Sequence, residues 1–361
     1  MTERSARRLR VGVVGCGAIS HEHLRHISRS PSAELVAVCD RSPIVGRFAR
    51  DQYGARRSYV STDDMFAAEQ LDVVHVITPP HTHESVVVQA LDAGCDVICE
   101  KPLAPDAATM ATLLDHARST HRVLVETRNL LYNDPVVRID HLRTSGALGD
   151  VREVDLAISI DLAAGPFGDP NLSGPGVGLP GGAVHDMLPH LSYLFLHLAG
   201  ATDVDGITGW LRNTGGNPRV GFDALDAVVE AGAVQGHLRI APASCPDSFR
   251  IRVGGTDRSV ETDLYQPYLR IQGGRDVGRR AAIEQIRSGG RLALAAFSNV
   301  GSKVFDNGTY QGIPRMLERA YDAIRSGGEP PVSAENILAA ARLTDLIVGL
   351  ASPSTDTPGE P

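Results

Sequence analysis

Four short stretches of this sequence carry residue types at spacings that suit chemistry. Val11 to Ser20 reads VGVVGCGAIS, an apolar run broken by Gly15 and Gly17. One glycine permits a tight turn. The other lets an anion approach the backbone where a helix begins, because free N–H groups and the helix dipole favour negative charge there. Ser20 takes the third place of a G-x-G-x-x-G pattern and is small enough for helix–strand packing. Asp40 closes the next apolar run, VAVCD. A carboxylate there accepts both hydroxyls of a ribose and repels a 2′-phosphate. The expected ligand is therefore a dinucleotide, NAD rather than NADP, although the adjacent Arg41 leaves NADP open. Gly15, Gly17, Ala18, Ile19, Asp40 and Arg41 are the residues expected to hold it.

Two further stretches put polar groups and prolines directly after apolar runs: Thr78-Pro79-Pro80-His81-Thr82-His83 and Glu100-Lys101-Pro102. Ligands of open α/β sheets bind outside such strand ends. Thr78, Pro79, Pro80, His83, Glu100 and Lys101 therefore join the expected cofactor-binding set. His81 and His83 have the spacing of a metal-ligand pair, but no third ligand stands near them, so no metal is expected. The fourth stretch, residues 181–190, reads GGAVHDMLPH and offers His185, Asp186 and His190.

The elements that must position these residues are legible as alternation. Runs of four to eight apolar residues at Leu9–Val14, Glu34–Cys39, Asp72–Ile77, Asp96–Cys99 and Arg122–Val125 read as strands buried on both faces. Helix-length segments separate them, at His21–Arg29, Ile44–Tyr53, Asp63–Glu69, Glu84–Ala93 and Asp106–Ser119. That order predicts a doubly wound α/β domain. After a helix at Pro135–Ser145, the period-2 pattern of Val151–Asp161 predicts a half-buried strand. A helix follows at Leu188–Ala199, then four or five strands over Gly206–Ile271 in an open, mostly antiparallel sheet. Helices at Gly312–Ser326 and Ser333–Ala351 close the pattern, and residues 352–361 are expected to be disordered.

G-x-G-x-x-(G/S) at 15–20, T-P-x-x-x-H at 78–83, E-K-P at 100–102 and G-G-x-x-x-D-x-x-x-H at 181–190 occur in that order. The set resembles the glucose–fructose oxidoreductase/inositol dehydrogenase (Gfo/Idh/MocA) family, from Arg10 to about Ala351. The resemblance implies a Rossmann domain over residues 1–127 and an α+β domain over 128–351. The open sheet of the second would carry substrate and subunit contacts in a homodimer or homotetramer, and the C-terminal helices would return to the first. It implies that Lys101, Asp186 and His190 line a substrate beside the nicotinamide. It adds Asn129 and Tyr132, and Leu131 stands where many relatives carry an arginine. The implied activity is NAD(P)-dependent interconversion of a secondary alcohol and a ketone on a sugar, cyclitol or aminocyclitol.

That chemistry suits these residue types. Histidine, with an ordinary pKa of about 6.5, takes or returns the hydroxyl proton, and a lysine favours developing alkoxide. Asp186 and His190 are four apart and would share a face if both lie on one helix. Asp186 would then orient the histidine. The competing reading makes Asp186 a helix N-cap, since Pro189 suits a first turn. His185 competes for a substrate contact. The loop of Phe167, Asp169 and Asn171 is expected to cover the site. Two other readings stand beside this one. One is redox-neutral glycosidic cleavage with Tyr132 or His185 as a second acid. The other is a non-catalytic dinucleotide-binding regulator, against which the presence of Lys101 and the D-x-x-x-H motif argues.

Composition sets outer limits. The chain has 361 residues, 42% apolar and 22% charged, which is globular and long enough for two domains. A formal charge of −8 with no long basic run disfavours nucleic acid and anionic membranes. No apolar run approaches the about 20 residues of a membrane helix. The run after the basic N-terminus is too short for a signal-peptide core. Five cysteines without a C-x-x-C pair predict reduced thiols and a cytoplasmic protein.

Overall fold

The computed structural model describes residues 7–161, 179–217, 220–242, 244–273 and 311–351, with isolated positions between 286 and 294. Phe167, Asp169, Asn171 and the 352–361 tail lie outside the described residues. The chain forms two units, Met1–Tyr132 with Tyr310–Ala341, and Asn133–Thr309 with Arg342–Pro361.

In the first unit, β1 (Leu9–Val14), β2 (Ala33–Cys39), β3 (Arg57–Tyr59), β4 (Val73–Val76), β5 (Asp96–Cys99) and β6 (Leu124–Glu126) form one sheet. Its order is β3-β2-β1-β4-β5-β6, and every pairing is parallel. The helices between them are α1 (Ser20–Arg29), α2 (Pro43–Tyr53), α3 (Thr62–Ala68), α4 (His83–Asp92) and α5 (Ala107–Ser119). β4 and β5 are buried at every position, so both faces need cover. Val87, Leu91 and Leu113 from α4 and α5 join one core cluster, and Leu24 and Ile27 from α1 join the other. A later helix, α8 (Gly312–Ser326), adds Ile313, Met316, Leu317, Tyr321 and Ile324 to the second cluster. Each such side chain contributes about 1.5–3 kcal/mol by leaving water. β1 has neighbours on both sides, β2 and β4, and the chain order reverses there. That reversal opens the crevice in which doubly wound sheets bind ligands.

The second unit holds α6 (Asp134–Thr144), β7 (Val151–Ile160), α7 (Leu188–Ala199), β8 (Gly206–Arg212), β9 (Ala224–Ala231), β10 (Val234–Pro242), β11 (Ser248–Gly255), β12 (Arg258–Asp263) and β13 (Arg270–Gly273). The sheet order is β13-β12-β11-β7-β10-β9-β8. Only the β7–β10 pairing is parallel. α7 lies so close to β10 that a Cβ at Gly236 would collide with the Phe195 ring. The division between the units falls inside the last described helix, α9 (Ala334–Val348).

The sequence predicted four or five strands over Gly206–Ile271, and six lie after Ala201 among the described residues, the last of them, β13, a four-residue edge strand too short to show periodicity. The three-residue edge strand β3 escaped for the same reason. No helix among the described residues is long and apolar enough to cross a membrane.

Candidate functional site

The glycine turn follows β1 directly. Gly15 has φ +92°, and a Cβ there would stand 2.5 Å from the Ile77 carbonyl oxygen, which is backbone and cannot yield. Gly17 is different: a Cβ there would meet nothing within 4 Å, so its missing side chain leaves space outside the turn. Ser20 is fully buried, and its hydroxyl donates to the Gly17 carbonyl at 2.5 Å. No side chain caps α1; the Ser20 and Glu22 N–H groups donate to the Gly17 and Ile19 carbonyls, both at 3.1 Å. Beside the turn, Asp40 Oδ2 accepts from the Cys16 N–H at 2.9 Å and Oδ1 accepts from the Ser42 N–H at 2.8 Å. Two backbone bonds therefore aim the carboxylate, and each oxygen keeps a second lone pair. Arg41 is exposed next to it. This arrangement fits an anion at the α1 start and a vicinal diol at Asp40.

At the end of β4, Thr78 is half-buried and Pro79 exposed, whereas Pro80 is buried. His83 is 1% exposed, with Nδ1 2.8 Å from the Pro102 oxygen and Nε2 2.7 Å from the Thr78 oxygen. Pro80 faces inward, and the imidazole of His83 links the two strand-end loops. Burial lowers the His83 pKa more than those carbonyls raise it. The exposed His81 does not share its surroundings. Among the described residues, no cluster of three or more His, Cys, Asp or Glu could hold a metal.

At the end of β5, Glu100 also turns inward. Its Oε1 accepts from His23 Nε2 at 3.0 Å, and the side chain is 13% exposed. Burial pushes this carboxyl up, but the His23 hydrogen bond and the Lys101 ammonium outweigh it, so Glu100 sits below its ordinary value. Lys101, the next residue, is half-buried. Only two of the chain's 35 basic residues are lysines, Lys101 and Lys303. A chain that otherwise uses arginine keeps a compact ammonium here, a point charge that a planar guanidinium does not reproduce.

After β6, Asn129 and Tyr132 lie on a short 3-10 helix and are buried. The Tyr132 hydroxyl donates to the Pro331 carbonyl at 3.0 Å, and the Arg319 guanidinium stands 5.6 Å over its ring. The Tyr132 hydroxyl thus ties this short helix to Pro331 within the first unit. Sequence reasoning missed Arg128. It pairs with Glu126 at 2.9 Å and donates to the carbonyls of Asn336 and Ile337.

In the second unit, Gly182–Asp186 form a 3-10 turn and α7 begins at Leu188, with Met187 at its N-cap. Asp186 and His190 therefore do not share one helix, and the common face expected from i,i+4 spacing does not arise. Nor is Asp186 the N-cap residue. Pro189 falls in the first turn, where proline is tolerated. Both Asp186 and His190 are half-buried. The His190 ring has an orienting neighbour that the sequence did not indicate: Nδ1 is 2.6 Å from the hydroxyl of the buried Tyr193. His185 is 1% exposed and its Nδ1 accepts from the Gly181 N–H at 3.1 Å, so this nitrogen is engaged in the turn.

Residues 9–127 match the family described as oxidoreductases with an NAD-binding Rossmann fold. That match to the Gfo/Idh/MocA family covers the first third of the chain. Relatives of this stretch have substrate-bearing names. An inositol 2-dehydrogenase from Saccharopolyspora erythraea is 36% identical over 149 residues, 40% of this chain and 44% of that protein. A dTDP-3,4-didehydro-2,6-dideoxy-alpha-D-glucose 3-reductase from Streptomyces violaceoruber is 33% identical over 157 residues, 43% and 46% of the two chains. The chain spans about half the length of the curated relatives it matches. The fold extends further. The WlbA dehydrogenase of Bordetella pertussis, solved with NADH and UDP-GlcNAcA, superposes with a TM-score of 0.76 at 20% identity, over 96% of both chains. The glycine turn, the start of α1 and Asp40 all lie within the matched residues and fit the NAD that the family's description names.

Proposed function

We propose that this chain is a Gfo/Idh/MocA-type, NAD-dependent oxidoreductase that interconverts a secondary alcohol and a ketone on a sugar or cyclitol. The observation that carries the reading is Asp40, aimed by the Cys16 and Ser42 N–H groups beside the glycine turn. A carboxylate in that place selects a free ribose diol over a 2′-phosphate. Bound NAD supplies the hydride acceptor for an alcohol or, reduced, the donor for a ketone. The chain supplies the rest. His190 exchanges the hydroxyl proton, with its ring orientation set by Tyr193. Lys101 favours the developing alkoxide charge. Asp186 orients the substrate or the histidine.

Relatives named for inositol and for a deoxy keto-sugar support a hydroxylated ring as substrate. For the redox-neutral alternative, the hydroxyl of one candidate acid, Tyr132, already donates to the Pro331 carbonyl. The test is nicotinamide absorbance with a panel of inositols, aldoses, amino-cyclitols and keto-sugars. Turnover with at least one class, lost in Lys101→Ala and His190→Gln, is the expected result. Tight NADH binding without turnover on the whole panel refutes the reading.

A further inference from the structure

The first unit buries a row of four titratable side chains that the proposed chemistry does not use directly. Tyr321 Oη on α8 is 2.9 Å from His75 Nε2 on β4. His75 Nδ1 is 2.9 Å from His23 Nδ1 on α1, and His23 Nε2 is 3.0 Å from Glu100 Oε1 after β5. Tyr321, His75 and His23 are all 0% exposed. Two histidines meeting nitrogen to nitrogen in a sheet core demand a proton count, since each contact needs one donor and one acceptor.

The count has one comfortable solution. A buried phenol must donate its hydrogen, and among the described residues the acceptor within reach of Tyr321 Oη is His75 Nε2. Burial, with the nearby His23 and His26 imidazoles, holds His75 well below its ordinary pKa, so it is neutral. Its hydrogen is then on Nδ1 and is donated to His23 Nδ1. His23 in turn carries its hydrogen on Nε2 and donates to Glu100. Four groups point one way, and the last must be an ionised acceptor. Running the chain backwards strands the phenol hydrogen in the core and requires either a protonated Glu100 or a buried imidazolium.

We propose that Tyr321, His75 and His23 are positioning residues: a one-directional hydrogen-bond chain that sets the His23 tautomer, keeps Glu100 an acceptor and fixes the strand end that bears Lys101. The chain ties α8, β4 and α1 to the loop after β5, so the helix under the glycine turn and the lysine share one support. The importance given to Lys101 rests on the proposed function, whereas the direction of the chain does not.

Two spectroscopic readouts test this on the full chain without turnover. In a long-range 1H–15N spectrum of 15N-histidine protein, assigned with His23→Asn and His75→Asn, His75 should be the Nδ1–H tautomer and His23 the Nε2–H tautomer. A hydrogen on His75 Nε2 overturns the direction. With 13C-lysine, the chain's two lysines give two Cε signals, assigned by Lys101→Ala. Tyr321→Phe should move the Lys101 signal and leave that of Lys303. An unmoved Lys101 signal in folded Tyr321→Phe overturns the positioning role. If that variant does not fold, His75→Asn is read in the same way. Failure of the substrate panel leaves both readouts intact, and their failure leaves the panel intact, so the two ideas fall separately.

Discussion

Replacing Asp40 with asparagine separates its two duties. The carboxylate aims at a ligand and also accepts from two backbone N–H groups, at 2.9 and 2.8 Å. Asparagine keeps the size, loses the charge and offers one oxygen instead of two. One turn N–H then loses its acceptor, a cost of about 1 kcal/mol, which lowers the melting temperature by about 2–4 °C. The ligand effect is larger. Charge-assisted hydrogen bonds are worth about 1.5–3 kcal/mol against about 1 for neutral ones. Two ribose hydroxyls therefore lose about 2–3 kcal/mol together, or about 30- to 150-fold in NADH affinity. NADPH should move the other way, because the carboxylate no longer repels its 2′-phosphate. The assay is fluorescence titration of both nucleotides at 25 °C against wild type and Asp40→Asn, with a melt of each. Equal weakening of both nucleotides, or an unchanged NADH affinity in folded protein, refutes the assignment of Asp40 to the ribose.

Other outcomes follow from the same geometry. Gly15→Ala places a Cβ 2.5 Å from the Ile77 carbonyl at φ +92°, so it should cost about 2 kcal/mol or more in urea denaturation. Gly17→Val fills open space and should leave the melt within about 2 °C while abolishing NADH binding by calorimetry; retained binding would contradict the cradle. His75 and His83 are held below their ordinary pKa chiefly by burial. The unfolded chain therefore binds more protons below about pH 6.5, and stability falls as pH drops from there, by up to about 1.4 kcal/mol per unit for each histidine. Glu100, held low, adds its loss only below about pH 4.3. Urea midpoints between pH 7.5 and 5.5 check this, and His75→Asn should flatten the slope. Burial, with nearby Asp40, pushes Cys16 up to about 12 and Cys39 up to about 11, and Cys95 and Cys99 are also buried, whereas Cys245 is exposed. A thiol reagent at pH 8 should therefore react with one cysteine quickly and with the rest only after unfolding.

The parallel sheet was legible because every strand but the edge strand β3 lies in a short, largely apolar run. Leu188–Ala199 and Gly312–Ser326 were legible to the residue, the second from its i,i+3 and i,i+4 apolar spacing. Strand-end motifs placed Gly15, Asp40 and Lys101 because that topology brings strand ends together. What stayed hidden is non-periodic and distant in sequence. His23 meets His75 across 52 residues, and Tyr321 meets His75 across 246. No local pattern announces such pairs. The inward turn of Glu100 and the engagement of His83 and Tyr132 were hidden for the same reason: residue type gives the chemistry, and only packing says which partner takes it. One signal was in plain view. Lysine is so rare in this chain that its presence at 101 singles out that strand end before any fold is known.

The first unit is assembled from two stretches of chain with residues 133–309 between them. Its core lacks Ile313, Met316, Leu317 and Tyr321 until α8 has been made. A ribosome adding about 5–20 residues per second needs roughly 10–35 s to traverse that interval. Throughout it, the apolar cluster that receives α8 has no native cover. The dinucleotide domain is thus written first but completed near the end, and a nascent chain has to be kept from aggregating for that time. A fragment ending at Tyr132 would carry every residue of the glycine turn and still lack one wall of its core.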